Sequence, residues 1–118
     1  MKQWFTPVVL VVAAALATSA MADSKLGDLS SFESIVNDAL VLVDKGDLNG
    51  AQKRITDFET AWDQAEETLY PKDKTGWSVI DDAADAAISS LRVDAPNATK
   101  AQKSVSALMD TLRHTVAE

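Results

Sequence analysis

From Leu48 to Leu69 the apolar residues advance in alternating steps of three and four without a break, through Ala51, Ile55, Phe58, Trp62 and Ala65. That spacing places all seven side chains on one face of an α-helix. Lys53, Arg54, Asp57, Glu59, Asp63 and Glu66 are left for the other faces. A helix with one continuous apolar stripe cannot bury it alone, so the pattern demands further helices packed along the same seam.

The rest of the chain supplies them. Leu29, Phe32, Val36, Leu40 and Val43 repeat the same steps, predicting a first helix over residues 31–45 with Ser30 and Glu33 at capping-box spacing. Gly46 suits the left-handed residue after a helix end, and Asp47 suits the N-cap of the next helix. Tyr70-Pro71 is expected to end the second helix, because a residue before proline is pushed out of the helical region. Asp73 then caps a third helix carrying Trp77, Ile80, Ala84, Ala87 (or Ile88) and Leu91 inward. Alanines at 83, 84, 86 and 87 make that helix slim enough for close packing. Around Asp94–Asn97 the pattern breaks again, with Pro96 in the first turn of a fourth helix or Asn97 as its cap. Ala98, Ala101, Val105, Leu108, Leu112 and Val116 form the last seam. No run after the N-terminal segment alternates with period two. The prediction is an all-α, antiparallel up-down-up-down four-helix bundle, with two stacked hairpins as the alternative.

The N-terminus reads differently. Lys2 supplies a positive charge, Pro7 to Ala17 form an uncharged apolar run, and Ala20-Met21-Ala22 offers small residues for a signal peptidase. Residues 1–22 are therefore expected to be a signal peptide cleaved between Ala22 and Asp23, leaving residues 23–118 as a single domain. About eleven apolar residues rise roughly 16 Å as a helix, half the hydrocarbon thickness, so no stable membrane insertion is expected after cleavage. The periplasm is the expected destination for a bacterial source. The chain has no cysteine, which excludes lipid attachment at a processed cysteine and leaves packing to hold the domain together. Without Lys2 the 11 basic residues become 10 against 18 acidic ones, a net charge of −8. Such a surface repels phosphate backbones, so no nucleic-acid partner is expected, while cationic ligands or basic protein patches remain suitable.

Chemistry-bearing residues are few. The sole histidine is His114, and the serines at 89, 90, 104 and 106 lie in helical segments without a glycine-rich elbow. No nucleophile, base and orienting group can be assembled from these, so no catalytic residue is assigned and the chain is read as a non-enzyme. His114 stands one turn after Asp110, whose carboxylate could hold the imidazole. A haem carrier would need a methionine on the first helix, which has none, and no cofactor is assigned. The acids at the second turn are denser: Asp63, Glu66 and Glu67 precede it, and Asp81, Asp82 and Asp85 follow it. If these helices form a hairpin, Asp63 falls opposite Asp81, and Asp63, Glu67, Asp81 and Asp85 are candidate ligands for Ca²⁺, Mg²⁺ or a polyamine. An ordinary solvated acidic face explains the same residues. Trp62 and Trp77 flank the turn on predicted seams, as core filling or as the walls of a small apolar pocket.

Asp47-Leu48-Asn49-Gly50-Ala51…Trp62, followed by Leu69…Pro71…Trp77…Asp81…Leu91-Arg92, resembles a pattern in small exported bacterial helical-bundle proteins of unassigned function. The likeness covers roughly residues 35–113, and its motifs are caps and seam residues, so it implies a fold and no activity. Two functions follow as expectations. One is an exported binding or accessory module acting on a protein partner or small ligand. The other is a metal-ion or cofactor carrier using the acidic hairpin or His114.

Overall fold

The computed structural model describes residues 25–117, with side-chain surroundings as far as His114. Residues 1–22, read as a signal, and the side chain of Val116 lie outside that range. The described chain is all-helical: α1 (Ser30–Asp44), α2 (Leu48–Leu69), a 3-10 turn (Tyr70–Lys72), α3 (Lys74–Arg92) and α4 (Ala98–Ala117). No strand occurs among the described residues. None of the described helices is long and apolar enough to cross a membrane.

Each helix has two principal neighbours: α1 packs on α2 and α4, and α3 packs on the same pair. Their four seams share one core. Val36, Ile55, Phe58, Ile80, Val105, Leu108 and Leu112 are all fully buried, and each such side chain contributes about 1.5–3 kcal/mol of transfer free energy. Ala87 and Ile88 are both buried, so α3 presents a wider apolar face than a strict seam. Leu26, Ala39 and Met109 also enter the core, while Ala98, expected inside, is exposed. Ala98 is the first residue of α4.

The α1–α2 connection shows how short-range chemistry sets the path. Gly46 has φ of 83°. Its N–H donates to the Val43 carbonyl at 2.9 Å, and the Asp47 N–H donates to the Leu42 carbonyl at 2.9 Å. Both bonds satisfy carbonyls left open at the end of α1, and glycine takes the left-handed conformation without a Cβ clash. The Asp47 carboxylate meanwhile accepts from the Gly50 N–H at 2.9 Å, capping α2. One residue closes one helix and opens the next.

Two local expectations need correction, and one choice left open is settled. The Ser30–Glu33 capping box does not form: α1 starts one residue early, no side chain caps Leu29, and the Ser30 N–H donates to Asp28 Oδ1 instead. Tyr70 keeps helical dihedrals before Pro71, because both enter the 3-10 turn; the break comes at the extended Asp73, φ −160°. For α4 the alternatives resolve to Asn97, whose Oδ1 accepts from the Lys100 N–H at 2.9 Å. Asp73 caps α3 through the Gly76 N–H at 3.0 Å.

Ion pairs join neighbouring helices at the surface: Arg54 to Asp38 at 2.9 Å, Arg92 to Glu59 at 2.6 Å, and Arg113 to Glu33 at 3.6 Å. Exposed pairs of this kind contribute about 0–1 kcal/mol each, so the apolar core dominates.

Candidate functional site

The α2–α3 junction is built on aromatic rings. Phe32 of α1 meets Phe58 and Trp62 of α2 edge-on, at centroid separations of 5.9 and 5.2 Å. Phe58 stacks on Trp62 at 5.7 Å, and Trp62 lies flat on Trp77 of α3 at 3.9 Å with 5° between the ring planes. The four rings thus tie three helices together. Trp62 and Trp77 are brought together, but a 3.9 Å spacing leaves no room for a ligand between them, and both are buried. Both belong to the buried core. Their position near the turn allows the contact, since seam residues on either side of a short connection face each other.

Stacking on Trp77 fixes where the polar edge of Trp62 points. Trp62 is 1 % exposed, and its Nε1 has no hydrogen-bond partner among the described residues. A buried donor left open costs about 1–3 kcal/mol. Trp62 opposes the rise in the Asp81 pKa and so favours its charged form.

Of the six acids flanking the turn, Asp81, Asp82 and Asp85 converge, with one carboxylate oxygen from each within 4.8 Å of the others. Asp63 is near enough to act on Asp81 electrostatically. Glu66 and Glu67 are exposed and stand outside this group. Glu67 lies one turn from Asp63 towards the connection, whereas Asp85 lies one turn beyond Asp81 away from it. Asp82 is the member the sequence reading left out of its ligand set. Its signal was local: a carboxylate next to one of two acids already spaced i and i+4. No ion pair links Asp63, Asp81, Asp82 or Asp85 to a basic residue among the described residues. The nearby Lys74 extends over the Tyr70 ring, 5.8 Å from its centroid.

Asp81 is held above its ordinary pKa of 3.8, first by partial burial, then by the Asp85 charge, with smaller contributions from Asp63 and Asp82; only the Trp62 N–H opposes them. The folded state thus holds this proton more tightly than the unfolded chain. Ionisation of Asp81 opposes folding, and the penalty grows as pH rises from the unfolded pKa through the raised folded value. In metal-free buffer Asp81→Asn is expected to gain stability at pH 7, a gain that vanishes below about pH 4. Urea unfolding at the two pH values measures this. A loss at pH 7 would mean that the charged carboxylate is favourably held.

His114 sits on α4 with its Nδ1–H donating to the Asp110 backbone carbonyl at 2.6 Å. The Asp110 carboxylate does not hold it, because a side chain at i+4 reaches the carbonyl of its own helix first. His114 is not grouped with other metal-ligating side chains among the described residues. Shallow grooves also run along the α1–α4 junction, lined by Glu33, Asn37, Met109 and Arg113, with Arg113 paired to Glu33.

Comparison with known proteins gives no matching family, no matching curated protein and no matching solved structure.

Proposed function

We propose that the chain is an exported precursor whose processed form, starting at Asp23, is a non-enzymatic binding or accessory module. Its architecture is an antiparallel up-down-up-down bundle, and it engages a cationic partner through the acidic face over the Trp62–Trp77 stack. The neighbour relations of the four helices and the short connections between them support that arrangement. The three-part N-terminal pattern supports export to the periplasm.

One observation carries the binding reading. Asp81, Asp82 and Asp85 gather beside Asp63 with no basic side chain paired to them among the described residues. Like charges held together on a rigid helix repel one another, and an incoming positive charge relieves that repulsion.

Two measurements test this reading. Full-length protein made in a bacterium should appear in the periplasmic fraction with a mass corresponding to residues 23–118; full-length material retained in the cytoplasm would overturn the export step. The processed chain should bind an oligo-lysine peptide with an affinity that falls as salt rises. Asp81→Asn/Asp82→Asn/Asp85→Asn should weaken that binding about tenfold or more, on the order of 1.4 kcal/mol. Equal affinity for the triple variant would remove the acidic face from the reading.

A second function, metal-ion carriage, is favoured by the convergence of the three carboxylate oxygens.

A further inference from the structure

The chain is anchored to the bundle before its first helix begins. Leu26 is 1 % exposed and Leu29 2 %, and both belong to the shared core although α1 starts only at Ser30. Gly27 between them lies in the left-handed region, with φ of 84°, a conformation strained for any residue with a Cβ. The Asp28 carboxylate accepts from the Ser30 N–H at 2.9 Å. The Leu29 carbonyl accepts from the Phe32 and Glu33 N–H groups at 3.0 Å. From Leu26 onward the backbone path is therefore fixed by two buried side chains, a glycine turn and local hydrogen bonds.

The expected signal cut lies between Ala22 and Asp23, so residues 23–25 alone separate it from Leu26. Three residues reach at most about 11 Å when fully extended, roughly the diameter of one helix with its side chains. A protease takes its substrate as an extended strand on both sides of the bond it cuts, lifted clear of the folded body. Three residues are too short a lead for that.

We propose that packing of Leu26 into the core closes the processing site, so that the signal is removed only while Leu26 is out of the core. Cleavage then comes first and completion of the core second. Undocking a fully buried leucine leaves roughly one molecule in ten to one in a hundred open. A peptidase that cuts the open form alone is slowed by the same factor when closing is faster than cutting. The proposal rests on reading residues 1–22 as a cleaved signal.

The test uses the full 118-residue precursor folded in mild detergent, its helix content checked by circular dichroism, and a purified bacterial signal peptidase. Cutting is followed by the appearance of the mass of residues 23–118. A six-residue Gly-Ser spacer between Ser24 and Lys25 leaves Leu26 in place and moves the cut about 20 Å further from the bundle. The spacer precursor should be cut about tenfold or more faster than the parent. Leu26→Asn, which puts an amide where leucine is buried, should also be cut faster. Val79→Asn, at an exposed position of α3, should be cut at the parent rate.

Equal rates for the parent and spacer precursors would overturn the proposal and leave export standing. A fast spacer precursor with a folded Leu26→Asn precursor at the parent rate would overturn the part assigned to Leu26. Should Leu26→Asn fail to fold, the spacer comparison still decides. Cutting of neither the parent nor the spacer precursor would overturn the export reading, and the proposal with it.

Discussion

Trp62→Ala is expected to destabilise the domain by about 3–5 kcal/mol, the largest effect of any single substitution considered. Trp62 touches Phe32, Phe58 and Trp77, so truncation opens a cavity where α1, α2 and α3 meet. A domain of this size has roughly 5–15 kcal/mol of total stability, towards the lower end because small chains bury a smaller fraction of their surface. The variant should therefore be marginally folded at 25 °C and melt far below the parent. Far-UV circular dichroism against urea measures this without depending on the deleted fluorophore. A loss under about 1 kcal/mol would mean that the ring ladder is peripheral to the core. Trp62→Phe should cost less, because it keeps a ring and removes the open N–H.

Leu108→Ala is expected to cost about 2–5 kcal/mol. Leu108 is fully buried on α4, which packs against both α1 and α3. Unfolding should remain a single transition with an unchanged denaturant slope, since α4 shares the core of the other helices. Two separated transitions, with α1 to α3 melting as in the parent, would show α4 to be an appendage.

The seams were the most legible part of this molecule. Ile55, Phe58, Trp62, Ile80, Val105 and Leu108 are buried where periodicity placed them, because a helix imposes the same angular step whatever its neighbours. Asp47 and Asp73 cap their helices as read, since a cap depends on a side chain and a backbone N–H three residues apart. Ser30 misled for the same local reason: Asp28 reaches its N–H first, an option the capping-box spacing does not weigh. Leu26 and Met109 were missed because one lies just before α1 and the other beside the seam, and only neighbouring elements make them core. Among the acids, sequence narrowed the field to six without separating Glu67 from Asp82. That choice depended on how far along α3 the chain travels as it passes α2.

Sequence alone determined four helical segments, the caps of α2 and α3 and the apolar face of each helix, all consequences of contacts within a few residues. It also determined an acidic, cysteine-free composition and the N-terminal signal pattern. Tertiary structure decided that Trp62 lies flat on Trp77, that its buried N–H has no partner among the described residues, and that three carboxylates of α3 converge. These depend on the rotation and axial offset of one helix against another, which set which rings stack and which polar edges are buried. Periodicity names a face of a helix, but the packing of whole helices determines what that face meets.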